Sequence, residues 1–503
     1  MSARETFAKV GSRLDGHGSR LTTSRKQCAL KLEPTQRRFA MIRDALKNEF
    51  QRIVGKDNVM TEPTELHAYS YDSAVLDQSQ PAIVVRPENS ESLGQVVKLC
   101  NDNGLKLTVR GAGTNLSGGT IPHPGGVVCL TTALDKILEI NEEDLYAVVQ
   151  PGVVTAKFAA QVAAKGLLYP PDPGSQAVST LGGNVAENAG GLRALKYGVT
   201  KDYVMGVDFF DVNGELIRSG GKTVKCVTGY NLAGLMIASE GTLGVFENIT
   251  LKLVPFPAAY KAMMAVFPDM MDASRAVAAI IANKIVPATL EFMDNFTIRT
   301  IENFRKAGLP VDAAAMLLIE VDGHPSQVED DAAKVEAICK ENKATSVRVA
   351  KDDAERNAVW QARRDALPAL ARVKPTTVLE DATVPRSKIP AMMQALYKIA
   401  KKYDLIIGTF GHAGDGNLHP TILTDKRDKQ EWHRVEAAID AIFEEALALG
   451  GTLSGEHGIG LAKAKYLKNE YGVGAINYSR RMKSVLDPNN ILNPGKILGP
   501  LLA

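Results

Sequence analysis

The chain has 503 residues, a formal net charge of +2, and 45% hydrophobic and 23% charged residues. That balance is ordinary for a folded globular protein and excludes a nucleic-acid footprint on the chain as a whole. The length exceeds one ordinary core, so two or three domains are expected, and no apolar run reaches the length of a membrane span.

The first forty residues are basic and poor in apolar side chains. Arg4, Lys9, Arg13, Arg20, Arg25, Lys26, Lys31, Arg37 and Arg38 outnumber Glu5, Asp15 and Glu33. A secretory signal needs an apolar stretch that is missing here. A transit peptide would make the protein mitochondrial, but the three acids count against one. The expectation is a mobile or partner-facing arm over residues 1–44, on a cytoplasmic protein that is at most peripheral to a membrane. Cys28, Cys100, Cys129, Cys226 and Cys339 are scattered with no C-x-x-C. Neither an iron–sulfur cluster nor a structural zinc site is signalled, and the odd count suits a reducing compartment.

From Pro81 the pattern sharpens. PAIVVRP reads as a short β-branched strand. Ser90 is expected to cap a helix whose apolar residues Leu93, Val96, Val97 and Cys100 recur at helical spacing, and Asn103-Gly104 signals its end. LKLTV predicts another strand, which runs into the glycine-rich RGAGTNLSGGT. Two more glycine blocks follow, PPDPGSQAVSTLGGNVAENAGG from Pro170 and SEGTLG from Ser239. ITLKLVPFP predicts a strand ending at a proline-marked boundary near Pro257. AAMLLIEVDG predicts a strand further on, and the last eighty residues read as helical around SGEHGIG.

The first loop lacks the lysine and spacing of a P-loop. Glycine nevertheless lets successive backbone N–H groups approach an anion, and Arg110, Thr114, Asn115 and Ser117 add donors. Three such blocks predict a dinucleotide site. Phe410–Pro420, FGHAGDGNLHP, sets two histidines seven apart around an Asp415-Gly416 turn signal. A turn can bring His412 and His419 to one point; a metal ion, a flavin edge or core packing would each account for the pair.

RGAGTNLSGG, PDPGSQAVSTLGGNVAENAGG, SEGTLG, FGHAGDGNLHP, SGEHGIG and NPGK occur in that order. Together they resemble the FAD-linked 2-hydroxy-acid dehydrogenases, the family of FAD-type D-lactate dehydrogenases and the glycolate oxidase flavin subunit. The likeness covers about residue 45 to the C-terminus. It implies an α+β chain: a two-lobed FAD-binding domain of vanillyl-alcohol-oxidase type (45–257), a ferredoxin-like cap (258–425), and a helical segment (426–503) returning to the FAD domain.

It also implies roles. Arg110, Gly111, Ala112, Gly113, Thr114, Asn115, Ser117 and Gly118 would wrap the FAD pyrophosphate. Pro171, Asp172, Ser179, Thr180, Gly183, Asn184 and Gly190 would line the flavin and ribityl chain. Glu240, Gly241, Gly244 and Val245 would sit near the adenosine half, and Asn493 of NPGK would join the cofactor site. Thr114 stands where covalent members often carry His, which implies non-covalent FAD.

His412, His419 and Glu456 form a His₂Glu set suited to one divalent ion (Zn, Mn or Fe) with open positions. In the related dehydrogenases the matching residues hold the metal, and the match of His457 is the base. Arg363 in WQARRD matches the carboxylate-binding arginine, while Arg364 is expected to be a surface ion-pair partner. Relatives that oxidise 2-hydroxyglutarate carry a Lys before a Val-Pro step; here VLEDATVP offers Glu380 and Asp381, which would repel a second carboxylate. A monoacid is therefore expected, D-lactate ahead of glycolate. With no cluster of its own, the chain needs an external acceptor: an electron-transferring flavoprotein, an iron–sulfur subunit, a quinone or a cytochrome. Alternatives are a metal-independent flavin alcohol or sugar oxidase, a flavin relay subunit of a larger complex and, more distantly, a metal-dependent hydrolase.

Overall fold

A computed structural model describes residues 45–499. The basic arm (1–44) with Cys28, and residues 500–503, lie outside the described residues. Three sheets carry the architecture, and helices cover them.

The first sheet is small and mixed. Val59–Met60 runs antiparallel to Ile83–Val85, which lies parallel to Val127–Leu130, itself parallel to Leu107–Arg110. The helix between Ile83–Val85 and Leu107–Arg110 spans Ser90–Asp102 and buries Leu93, Val96, Val97 and Cys100. Its cap is Asn89, one residue earlier than expected: Asn89 Oδ1 accepts from Ser92 N at 2.9 Å, and Ser90 is the first helical residue. Asn competes with Ser on equal terms for this role, so the pair was ambiguous by type alone.

The open edge of Leu107–Arg110 is closed by the C-terminal chain. Leu107 N donates to Ile491 O, and Asn493 N donates to Leu107 O, both at 2.7 Å. Closing the edge removes a row of unpaired backbone groups.

The second sheet has five antiparallel strands, in the order Ile137–Asn141, Tyr146–Val149, Val245–Lys252, Val204–Phe210, Leu216–Gly220. Val149, Val207, Ile249 and Leu251 fill its core with Phe158, Val162 and Leu181.

The third sheet positions the chemistry. Its order is Ser346–Val349, Ala259–Phe267, Ala315–Gly323, Thr289–Asp294, Ile406–His412, Asn417–Thr424, Thr376–Leu379. Strand alternation gives each face its own residues. Leu290, Phe292, Leu317 and Ile319 point to helices Met270–Ala282, Pro325–Glu341, Ile389–Tyr403 and Lys429–Ala448. Met293, Met316, Leu318 and Phe410 point the other way, to Asn295–Arg305 and Asp353–Arg364. Thr289, Glu291, Glu320, His412 and His419 share the parity of this second face. Buried on both sides, such strands read as near-continuous apolar runs, and the few polar residues within them stand out.

The C-terminal helical region is less regular than expected. Leu467–Leu486 is interrupted at Gly472, whose φ of 71° breaks the helical path. Cys100, Cys129 and Cys339 are buried and Cys226 is exposed, all as free thiols.

Candidate active site

FGHAGDGNLHP is a β-hairpin. Phe410 pairs with His419, Gly411 with Leu418, and His412 with Asn417. Residue 412 therefore projects to the same face as 410 and as its partner 419. The two imidazoles meet edge to face, ring centroids 5.1 Å apart.

The SGEHGIG loop brings a carboxylate to them. Glu456 Oε1 lies 3.2 Å from His412 Nε2 and 3.2 Å from His419 Nε2. The three candidate donor atoms fall within 4.8 Å of one another. Burial favours a neutral Glu456, but the two imidazoles outweigh it and hold its carboxyl well below the usual range. Burial likewise opposes a charge on His412, yet Glu291 and Glu456 together push its affinity for a proton well up.

Glu291 is a residue the sequence reading missed. It is fully buried and accepts from Arg363 Nε at 2.6 Å, while His412 Nδ1 lies 2.7 Å from its other oxygen. Burial works against its ionisation, and the charges of His412 and Arg363 overcome that, so it stays an anion. A carboxylate can only accept, so His412 Nδ1 donates to Glu291 and Nε2 donates to Glu456; a cation held between them would replace the hydrogen on Nε2. This carboxylate–histidine arrangement is the usual support of a metal-ligating imidazole. The donor chemistry thus fits a divalent cation. His419 departs from the pattern, because its buried Nδ1 has no partner.

His457 stacks on His419, with ring centroids 5.2 Å apart and planes 6° from parallel. Burial drives its affinity for a proton down, to a pKa of about 4, with His419 and Lys463 adding to the effect against the pull of Asp381. Its imidazole is neutral at physiological pH.

Asp381 holds the loop in place. It is fully buried and accepts from Ser454 Oγ at 2.8 Å, Glu456 N at 3.0 Å and His457 N at 3.1 Å. It faces the loop rather than the cavity, and Glu380 is also absent from the cavity wall, where only Leu379 of this stretch appears. Charge repulsion of a second carboxylate by these two acids therefore does not operate. Arg363 is buried, with its guanidinium 4.7 Å above the Phe410 ring. Arg364 does not form the expected ion pair: it reaches Gln361 at 3.5 Å and lines the cavity. Beside it Glu320 accepts from Arg356 Nε, Arg356 Nη2 and Trp360 Nε1 at 2.6–2.8 Å, anchoring this helix to the sheet.

The histidines, Glu456, Arg363, Arg364 and Glu320 open onto one cavity of about 680 Å³, a size typical of cofactor pockets, with Glu291 and Asp381 behind its wall. His412, His419, Glu456, His457 and Arg363 line one part. Gly111, Ala112, Gly113, Thr114, Asn115, Asp172, Ser179, Thr180, Gly183, Asn184, Glu240, Gly241 and Gly244 line the rest. The first two glycine loops touch so closely that a Cβ at Gly111 would collide with Thr180 Oγ1. A cradle of this kind fits a dinucleotide.

Other residues expected at the cofactor stand behind the wall. Arg110 braces the first loop from beneath, donating to Tyr71 O at 2.7 Å and Thr120 Oγ1 at 3.2 Å. Ser117 is fully buried, and Gly118 packs on Leu76 and Leu461. Pro171 and Val245 are buried outside the cavity lining, and Gly190 makes room for Glu456 Oε2. Asn493 ties Gly119 O to Glu240 O through its amide, at 2.8 and 2.7 Å.

The family assignment follows. Residues 81–220 match the family described as "FAD binding domain", and residues 256–497 match "FAD linked oxidases, C-terminal domain". The overall fold matches that of p-cresol methylhydroxylase, with a TM-score of 0.77 at 18% identity over 91% of this chain and 97% of that one. The chain belongs to the FAD-linked oxidoreductases of vanillyl-alcohol-oxidase fold.

Within that class it is 50% identical to "Glycolate oxidase subunit GlcD" of Bacillus subtilis, over 91% of this chain and 97% of the relative. It is 39% identical to the protein of the same name in Escherichia coli K12, over 86% of each chain. To "D-lactate dehydrogenase" of Anaerostipes hadrus it is 36% identical, over 85% of this chain and 91% of that one. Among the described residues no helix is long and apolar enough to cross a membrane.

Proposed function

We propose that this protein oxidises a small D-2-hydroxy monoacid to the 2-oxo acid. It would use non-covalent FAD and one divalent metal ion, and pass the electrons to an external acceptor. The observation that carries the reading is the continuity of one cavity from the glycine loops to the His412–His419–Glu456 cluster and the neutral His457. When bound, FAD supplies the two-electron acceptor and the metal ion supplies Lewis acidity.

The chain's own residues do the rest. His412 Nε2, His419 Nε2 and a Glu456 oxygen would hold the ion. Glu291 fixes the His412 tautomer. A ring nitrogen of neutral His457 would take the proton of the substrate hydroxyl. Arg363, its Nε engaged by Glu291, would offer its Nη amines to the substrate carboxylate and orient C2 for transfer.

Between the two monoacids, 50% identity to a glycolate oxidase subunit against 36% to a D-lactate dehydrogenase supports glycolate first, D-lactate second. The B. subtilis relative's description as a subunit supports a partner protein as electron acceptor. The test is the anaerobic visible spectrum. Glycolate, D-lactate, L-lactate and 2-hydroxyglutarate are added in turn, before and after a chelator. Bleaching by glycolate or D-lactate that chelation stops and a divalent ion restores is expected. Bleaching that survives chelation would favour the metal-independent oxidase, and none with any acid the relay subunit.

A further inference from the structure

The junction between the first glycine loop and the SGEHGIG loop contains two carboxyl groups that the proposed chemistry does not use, Glu240 buried and Glu187 half-buried with its Oε2 enclosed. Glu187 ends the helix Leu181–Glu187, and Glu240 belongs to SEGTLG. Both touch the cofactor cavity. They meet across Gly458: a Cβ there would collide with Glu187 Oε2 and lie 3.1 Å from Glu240 Oε1. Only glycine lets the two carboxyls converge at this point.

Their hydrogen bonds differ in kind. Glu240 accepts from Ile459 N and from Gly460 N, each at 2.7 Å, so both its oxygens act as acceptors. It does so from a left-handed backbone conformation, φ 48°, that a glutamate rarely adopts. Glu187 Oε1 accepts from Ser117 Oγ at 3.3 Å, and its Oε2 is buried with no partner. Ser117 in turn receives the loop: its carbonyl accepts from Leu461 N at 2.9 Å and Ala462 N at 3.0 Å. The first glycine loop, the helix end and the loop bearing Glu456 and His457 are thus fastened at one spot.

We propose that Glu187 and Glu240 share one proton, with Glu187 the neutral partner, and that this pair is a pH-sensitive clamp joining the cofactor cradle to the catalytic loop. Two carboxylates that converge on one enclosed point cannot both ionise cheaply. A hydrogen on Glu187 Oε2 would supply a donor at the point on which Glu240 Oε1 also converges. Burial pushes the Glu187 carboxyl well up, and the charge of Glu240 adds to it. Lys463 opposes this effect on Glu187 and Asp72 reinforces it; burial also raises Glu240, to about 7, against the pull of the Ile459 and Gly460 N–H groups and of Lys496 and Lys463. A pyrophosphate anion against Gly111–Asn115 would favour the protonated state further. The proton is therefore held more tightly in the FAD-loaded protein, and FAD binding weakens as pH rises. Glu187 is a positioning residue in this scheme. The inference rests on the family's FAD site and not on the metal or hydroxy-acid reading.

The experiment measures FAD release from the loaded protein by ultrafiltration and flavin fluorescence, at a series of pH values from neutral to alkaline, without substrate. In wild type the apparent Kd should rise above neutral pH with a slope approaching about tenfold per pH unit, the limit for one linked proton. Glu187→Gln should retain FAD at neutral pH and lose that slope, because the amide N–H₂ donates where the acid did. Glu240→Gln should release FAD at neutral pH, since its amide N–H₂ must face one of the Ile459 and Gly460 N–H groups. A wild-type slope in Glu187→Gln, or release from Glu187→Gln with retention in Glu240→Gln, overturns the proposal. Should a variant fail to fold, infrared spectra of the wild-type holoprotein decide: a neutral-carboxyl band that disappears at high pH is expected, and its absence at neutral pH overturns the clamp. A wild-type protein that never holds FAD would instead refute the cofactor reading.

Discussion

Glu291→Gln is the most informative single substitution, because it changes no volume and removes no atom from the site. In wild type the carboxylate accepts from Arg363 Nε at 2.6 Å and from His412 Nδ1 at 2.7 Å. The glutamine amide has one accepting and one donating end. Arg363 has no acceptor, so the amide oxygen must turn to it. The N–H₂ then faces His412, which relieves the clash only by giving up its Nδ1 hydrogen and keeping one on Nε2. That leaves a hydrogen on Nε2, where a lone pair is needed to hold the ion. Loss of such a carboxylate support costs about 10- to 100-fold in metal affinity, and the forced tautomer puts this variant at the high end. The assay is metal content after dialysis against graded chelator, with flavin absorbance as the internal control. FAD should stay bound while the metal is lost. Glu291→Ala would be a poorer probe: it strands two buried cationic groups and costs about 3–5 kcal/mol of stability. Wild-type metal affinity in Glu291→Gln would show that Glu291 does not set the tautomer, and would remove the main support for the His₂Glu assignment.

His457→Ala should keep FAD and metal but slow flavin reduction by about 10²- to 10⁴-fold, read by anaerobic stopped flow. A near-normal rate would take His457 out of the base role. Arg363→Lys keeps a charge but cannot both pair with Glu291 and fork a carboxylate; kcat/KM should fall by about 10- to 100-fold, mostly through KM. Asp381→Asn should destabilise the protein by about 3–5 kcal/mol, seen as a lower Tm, because it removes the buried anion that faces Lys463 Nζ at 3.7 Å and leaves that charge unpaired. Burial resists ionisation of Asp381, and His457 and Lys463 overcome it, so its carboxyl is held well below the usual range. A depressed group of this kind stabilises above its unfolded pKa and loses that contribution as pH falls. The Tm gap should therefore stay constant from about pH 5 to pH 8 and narrow only on acidification. Deleting residues 1–40 should slow electron transfer to the true acceptor and leave flavin reduction intact; if neither step changes, the arm is not a docking element.

What could be read from the sequence, and what could not, divides along a physical line. Groups whose meaning is local were legible. A Gly-rich block after LKLTV reads as an anion cradle because backbone freedom is a local property. His412 and His419 converge because an Asp-Gly turn between two apolar runs makes a hairpin, and strand parity then fixes which face they share. Glu291 and Glu320 were not legible. In TLEFMD and MLLIEVDG a single Glu looks like the solvent side of a half-exposed strand. Only the helices on both faces of the sheet reveal that it is buried and must find a cationic partner. A useful signal was present nonetheless: each Glu is flanked on both sides by apolar residues, Leu290 and Phe292 or Ile319 and Val321, as two-sided burial requires, so an acid so placed is a candidate for an internal ion pair. The acids of VLEDATVP failed for the converse reason. Their type was read correctly but their direction was not, since Asp381 turns to a loop more than seventy residues downstream. Residue type thus indicated which chemistry the chain can do. The partner of each buried charge was set by which strands lie side by side, and it is those pairings that decide whether an acid repels a substrate, orients a histidine or holds a loop.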